Sequence, residues 1–424
     1  MRNYPRVYTS FMPNAPILNG TPGAWLNILK KCLVGGSDTF DIGSITVASG
    51  VATITYNYAN QQLLPFNIIV IQGCDEPLLN TTVTIIDGYV GGATFNTTVA
   101  DGTYTGASGI KASYEPAGWE VMFSGTNQSV LRSLNPDSSK TCVYVDDTNA
   151  TTCSFEFAYD ALSLTNLISP TSDAGTKINY VKCLLKSFNA VAGNYRNWAI
   201  VADNSTCYML TDYSIANPSP ITKDIFVGSR LTFFGDFTSS NSFDKNTFGF
   251  WFTGIAVGAT AQVTSLTGSP QYTGFFGTTI ATDNRSGLRS DYNTLTPWNY
   301  AFFFSNPSVC NATNYQSGCN SGYGVTSIDD LTQVFRKIPV NGVYYNVNLF
   351  AASFGTYIMY GQLPGLRFSD YQIRNFFNNF DIIKSPSGDE VFMLLPISST
   401  NRSSDIIDSS SMGLMPILLN KIWE

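Results

Sequence analysis

The clearest periodic signal in the chain lies between residues 21 and 35. Trp25, Ile28, Leu29, Cys32 and Leu33 fall at i, i+3, i+4, i+7 and i+8, which places them on one face of a helix. Thr21 is positioned to cap that helix, Pro22 to occupy its first turn and Gly35 to end it. From there the period changes from about 3.6 to 2, the alternation of a half-buried strand. Residues 44–56 alternate β-branched and polar side chains around Ser49-Gly50, which predicts a hairpin. Residues 66–71 are apolar almost throughout and predict a strand buried on both faces, and 81–86 predict another. The Gly/Thr-rich stretch 91–106 reads either as a linker or as a loose pair of strands.

Further strands are expected at 119–123, 141–146, 154–159, 178–185, 197–202, 207–212, 224–234, 248–258, 345–354 and 390–396. Two later segments read as helical. Ser327 caps 328–337, where Ile328, Leu331, Val334, Phe335 and Ile338 share a face and Pro339 closes the segment. Residues 371–380 read as a short helix or, given their asparagines, a loop. Residues 1–20 hold three prolines and no period, which suits an extended arm lying on another surface rather than an element of a core. No internal repeat of fixed period emerges. The fold class expected is mainly β, a multi-domain β-sandwich or barrel with a small N-terminal α+β unit. Its divisions are an arm at 1–20, the α+β unit at 21–105, a β-rich domain at 106–260 and a β-rich C-terminal domain at 261–424 with one or two short helices.

Composition sharpens this picture. Hydrophobic residues make up 44% of the 424 residues and aromatics 14%, but charged residues only 12%, where about a quarter is usual. The polar surface is therefore built mostly from Asn, Ser, Thr, Gly and Tyr, a composition that suits lasting contact with neighbouring subunits. The net charge of −7 and the scatter of the 23 basic residues argue against nucleic acid as a partner. Lys30-Lys31 and Arg336-Lys337 read as solvated helix faces. No apolar segment long enough for a signal peptide or a membrane span is evident, so no membrane insertion is expected. The eight cysteines include no CxxC pair and read as buried free thiols, with Cys310 and Cys319 the pair best placed for a bridge. Asn-x-Ser/Thr triplets at Asn80, Asn96, Asn149, Asn204 and Asn311 follow from the abundance of these residues.

The chain contains no histidine, which removes the commonest metal ligand and the usual activator of a Ser or Cys nucleophile. Carboxylate chemistry is left. Asp146-Asp147, Asp236 and Asp329-Asp330 are the candidates for the pair that glycoside hydrolysis needs. Adjacent strand residues face opposite ways, so Asp146-Asp147 reads as a strand end or turn, and Asp329-Asp330 as charge at a helix start. Calcium donors could come from Asp146 through Asn149 or from Asp283-Asn284, although neither has EF-hand spacing and turn formation is the preferred reading. No phosphate loop occurs; the glycines of 88–92 lack a following basic residue. Tyrosines and tryptophans, 23 and 6 in number, could form a sugar platform, with core packing the commoner use. No catalytic, cofactor-binding or metal-ligating residue is assigned, no cofactor is expected, and the chain reads as something other than an enzyme.

Several segments, taken in order, resemble a family of virion structural proteins of tailed bacteriophages. They are a Trp-Leu helix ending in Cys-Leu-Val-x-Gly at 25–36, a strand at 43–56, Gly-Trp-x-x-x-Phe-Ser-Gly-Thr-Asn at 118–127 followed by Arg132, and Val-Asp-Asp-Thr at 145–148. Trp-x-Ile-Val-x-Asp opens 198–210, Phe-Phe-Gly-Asp-Phe stands at 233–237, Gly-x-Leu-Pro-Gly-Leu at 361–366 and a strand at 391–395. The chain departs from the family pattern after Leu366, where 367–380 replaces a polar turn region. The resemblance implies a tail, baseplate or tail-tip component that works through subunit interfaces. Other virion proteins and further copies of itself are the implied partners, and the virion, assembled in the host bacterial cytoplasm, the implied location. A capsid decoration or adhesin module touching host surface glycans is the alternative, and a carboxylate-dependent depolymerase a third.

Overall fold

The computed structural model describes residues 3–36, 38–158, 160–168, 181–186, 195–212, 377–385, 387–398 and 412–423, and the strands Ser229–Ser239, Asn246–Phe252, Tyr272–Phe276, Asn299–Phe304, Tyr344–Ser353 and Thr356–Ser369. The fold is mainly β, and every strand pair among these residues is antiparallel. No sheet among them closes into a barrel.

The expected apolar stripe is the buried face of a helix, Ala24–Leu29, that runs on as a π-helical turn, Lys30–Gly35. Its start differs from the expectation. Thr21 does not cap it; Gly23, at φ 85° and without a side-chain cap, holds that position. The left-handed backbone explains the glycine, and a Cβ there would also crowd the Asn127 side chain. The orphaned N–H groups of the first turn find acceptors on Asp147 instead.

Two sheets share a core with this helix. One has five strands in the order Asp87–Tyr89, Gly92–Asn96, Val51–Thr55, Ser44–Ala48 and Gly102–Tyr104. Ser49 and Gly50, at φ 52° and 78°, form the left-handed pair of a type I′ hairpin, as the sequence predicts. The stretch 91–106 supplies two strands, but they pair with different neighbours rather than with each other. The second sheet orders Phe40–Ile42, Ile110–Tyr114, Ile68–Gln72 and Thr82–Thr84. The segment expected to be buried on both faces alternates instead: Ile69 and Ile71 are buried, Ile68 and Val70 only half so. The division expected at residue 105 falls before Ile110–Tyr114, a strand that sits inside this sheet.

Trp119–Gly125, Gln128–Ser133, Cys142–Asp146, Thr152–Ala158 and Val181–Leu185 form a five-stranded meander. Its inner side chains Leu131, Val143, Val145, Phe155 and Phe157 join the same core. A larger sheet runs Arg6–Thr9, Trp198–Ala202, Thr206–Asp212, Ser229–Ser239, Thr356–Ser369, Met412–Leu418, Val391–Ser398 and Ile382–Lys384. It corrects the reading of residues 1–20. Arg6–Thr9 pairs with Trp198–Ala202, and Val7, Tyr8, Phe11 and Met12 are buried, so this segment belongs to the core of its own chain. The division expected at residue 260 is likewise bridged, since Ser229–Ser239 pairs with Thr356–Ser369.

Trp198–Ala202 and Thr206–Asp212 are covered on both faces. Trp198, Ile200, Cys207 and Met209 enter the shared core. On the other side Tyr208 stacks on Phe233 at 5.7 Å, meets Trp423 edge-on at 5.4 Å and donates its hydroxyl to the Pro364 carbonyl at 2.8 Å. Gly365, at φ 70°, has a left-handed conformation, and the Trp423 indole lies against it. Of the segment expected as a short helix or a loop, residues 377–380 are non-helical and end in a turn at 379–380, with Phe380 edge-on to Phe11 at 5.4 Å. The helix expected at 328–337 lies outside the described residues, as do 371–376.

Candidate functional site

Among the described residues, the acids singled out from sequence are Asp146, Asp147 and Asp236, and each is held by hydrogen-bond donors of the fold. Asp146 closes the strand Cys142–Asp146 and points one way, Asp147 the other. Asp146 Oδ1 accepts from Thr148 N–H at 3.0 Å and Thr148 Oγ1 at 2.7 Å, and Oδ2 from Gln128 Nε2 at 2.9 Å. Asn149 Oδ1 accepts from the Thr151 N–H at 2.7 Å and hydroxyl at 2.8 Å. These oxygens, the candidate calcium donors, thus form side-chain-to-backbone turns.

Partial burial pushes the Asp146 carboxyl up, but the bonds from Thr148 and Gln128 outweigh it and hold it below its ordinary value of 3.8. A depressed folded-state value means stability that is present above pH 3.8 and is lost as pH falls through the lower folded value. Asp146→Asn is therefore expected to flatten the acid limb of a Tm-against-pH curve. An unchanged limb would show that these hydrogen bonds do not favour the ionised form.

Asp147 is wholly buried and forms an ion pair with Lys186, itself wholly buried. Lys186 Nζ also donates to the Thr21 carbonyl at 3.0 Å. The Asp147 carboxylate accepts the Leu26 N–H at 3.1 Å, and its carbonyl accepts the Gly23 N–H at 2.8 Å. Burial raises the Asp147 carboxyl above its ordinary value, against the pull of Lys186 and the helix N–H groups. The pair thus ties together the meander, the segment before the helix and the helix itself.

Asp203 and Asp236 belong to a second polar network. Asp203 Oδ1 accepts the N–H groups of Ser205 and Thr206 at 2.7 and 2.6 Å, shaping the hairpin, while its carbonyl accepts the Trp119 indole N–H at 2.9 Å. The Asp236 carboxylate accepts the Ser139 N–H at 2.9 Å and hydroxyl at 2.5 Å. Thr206 Oγ1 donates to the Asp236 carbonyl at 2.6 Å and Asn135 Nδ2 to Ser205 Oγ at 2.8 Å. Asp147 and Asp203 are 0% exposed and Asp236 1%. A general acid or base must reach its substrate directly or through one water, whereas these carboxylates face N–H and hydroxyl donors of the fold.

Trp25, Trp119, Trp198 and Trp423 are among the most deeply buried side chains, so these four build cores rather than a sugar platform. Of the exposed tyrosines, Tyr89 ends a strand, while Tyr4 and Tyr195 lie outside the helices and strands. Cys32, Cys74, Cys142, Cys153 and Cys207 are buried free thiols, and burial pushes the Cys142 thiol up to about 12. Among the described residues no three Cys, Asp or Glu gather as a metal site, and no helix is long and apolar enough to cross a membrane. Asp283-Asn284, Asp329-Asp330, Cys310, Cys319 and Arg336-Lys337 lie outside the described residues. The groups that sequence reasoning missed are Lys186, Asp203 and Ser139, whose partners are distant or follow from a turn that no motif marks.

No family model matches the chain, and no curated protein matches it. Among solved structures it is similar to the phage phi92 endosialidase, at 10% identity and a TM-score of 0.16, over 90% of this chain and 51% of that one. The chain therefore spans about half the length of that protein. At such a TM-score the likeness carries no argument about fold or activity.

Proposed function

We propose that this chain is a structural component of a tailed-phage virion, of the tail, baseplate or tail tip, and that it works through subunit interfaces. The observation that carries the reading is the use made of its acids. Asp147, Asp203 and Asp236 are enclosed in hydrogen-bond networks that hold sheets and a helix together. The collinear run of phage-family segments and a charged fraction of 12% support it from the sequence side, since large lasting interfaces are poor in charge at their centres. The test is made on particles of the phage that encodes the chain, purified and analysed by quantitative mass spectrometry and immunogold labelling. The expected result is a fixed copy number per particle and label confined to the tail. A chain abundant in the infected cell but missing from purified particles would overturn the reading.

A further inference from the structure

The segment that enters the helix is pinned on both sides. Before it, the Trp198 indole donates to the Pro16 carbonyl at 2.9 Å and the Arg196 N–H to the Leu18 carbonyl at 2.8 Å. After it, Lys186 Nζ donates to the Thr21 carbonyl at 3.0 Å and the Gly23 N–H to the Asp147 carbonyl at 2.8 Å. Between Leu18 and Thr21 lie only Asn19, half-buried, and Gly20, buried. The chain's other Asn-Gly pair, Asn341-Gly342, lies outside the described residues. Asn19 Oδ1 accepts the Thr21 N–H at 2.9 Å, a side-chain turn common at asparagine. The ring that this bond closes contains both Asn19 Cγ and Gly20 N. No acceptor for the Gly20 N–H is found among the described residues.

We infer that Asn19 is a self-modification site, at which the Gly20 nitrogen closes on Asn19 Cγ. The nitrogen gives its proton to hydroxide, its electron pair forms the N–Cγ bond, and the Cγ–Nδ2 bond breaks so that the side-chain amide leaves as ammonia. The product is a five-membered cyclic imide, which water opens. Addition at Cγ breaks the new N–Cγ bond and gives aspartate on the original backbone. Addition at the Asn19 main-chain carbonyl breaks its bond to Gly20 N and gives isoaspartate, whose main chain runs through Cγ and is longer by one CH2. Three features suit the place to this step. Glycine has no Cβ to obstruct the approach of Cγ. Its N–H has no hydrogen bond that must break before the proton leaves. The Thr21 N–H draws charge toward Oδ1, where it builds up during attack.

The two products treat the helix anchor differently. Aspartate keeps the backbone length, and its carboxylate still accepts the Thr21 N–H. Isoaspartate inserts a main-chain atom between the Leu18 and Thr21 carbonyls, which are held by Arg196 and Lys186. The Thr21 carbonyl then moves off Lys186, and the buried Lys186–Asp147 pair loses one of its partners. The site thus acts as a slow chemical clock on the anchor. This holds for the chain itself and does not depend on its place in a virion.

The test follows the full chain, native and unfolded in urea, side by side at mildly alkaline pH. Digests taken over several weeks are mapped by mass spectrometry, with aspartate and isoaspartate told apart by electron-transfer fragmentation. Asn19 is expected to convert in the native chain at a rate within about ten-fold of the unfolded one, because no opening of the fold has to precede attack. Conversion in urea with Asn19 unchanged in the native chain would overturn the inference, as would no conversion in either. The effect on the anchor is read separately, in an Asn341→Gln background that removes the second pair. The deamidated fraction, collected by anion exchange, is compared in urea denaturation with Asn19→Asp and with the unaged chain. Asn19→Asp is expected to keep the midpoint of the unaged chain and the isoaspartate-containing fraction to unfold at lower urea. Coincident midpoints for all three would overturn the link between this site and the anchor.

Discussion

Lys186→Ala is expected to cost about 3–5 kcal/mol of folding stability, the range for removing one partner of a buried ion pair. The size follows from what is left behind. Asp147, wholly buried, keeps the Leu26 N–H as a partner but loses its cation. The Thr21 carbonyl loses a donor at the same time. The helix anchored there carries Trp25, Leu26, Ile28 and Leu29 into the shared core, so a change at its first turn reaches well beyond one hydrogen bond. Adding Asp147→Asn to a Lys186→Met chain is expected to recover most of the loss, because no charge is then buried and the amide oxygen still accepts from Leu26.

The pH dependence of the alanine variant has a definite sign. Burial already raises the Asp147 carboxyl above 3.8, and losing Lys186 raises it further. The deficit is then largest at neutral pH and shrinks as pH falls toward 3.8, where the unfolded chain also takes up its proton. Urea denaturation at several pH values measures both effects. A loss below about 1 kcal/mol at neutral pH would place the pair among weak surface-like bridges and remove its role as an anchor.

Local pattern made some of this legible and topology hid the rest. The stripe from Trp25 to Leu33 and the Ser49-Gly50 hairpin were readable because each depends on residues within a few positions. The cap was not, because Thr21 has the right chemistry but the chain takes a left-handed turn at position 23, which favours glycine there and puts the cap on Gly23. The strand Arg6–Thr9 escaped notice because four residues show no period and their partner lies about 190 residues away. Gln128–Ser133 was missed because its middle residues Ser129, Val130 and Leu131 are all buried, which erases the alternation that marks a strand. The WAIVA run at 198–202 does carry the signature of burial on both faces, which the sequence reading assigned to 66–71 instead. Asp147 follows directly on the strand end at Asp146, in keeping with the strand-end or turn expectation; its ion pair depends on Lys186, for which no motif speaks.

Gly235→Ala is expected to be severely damaging, with a loss above about 3 kcal/mol or failure to accumulate as folded protein. Gly235 has φ 138° and lies opposite Thr206 in the neighbouring strand. A Cβ there would stand 2.5 Å from both the Ser205 carbonyl oxygen and the Thr206 Cα. These are backbone atoms of the hairpin that Asp203 shapes, so no side chain can rotate away. Moving the glycine instead would carry its neighbours with it. Phe234, wholly buried, lies 5.6 Å edge-on from Trp119 and 6.0 Å from Phe155, and Asp236 holds Ser139. Gly388→Ala separates backbone conformation from contact, since Gly388 has φ 79° but nothing within 4 Å of the place its methyl would take. That variant should show only the left-handed penalty of about 1–2 kcal/mol. Denaturation of the two side by side reads the difference directly. Equal losses would mean that the 205–206 backbone yields, and the rigid hairpin that Asp203, Asp236 and Gly235 together imply would have to be given up.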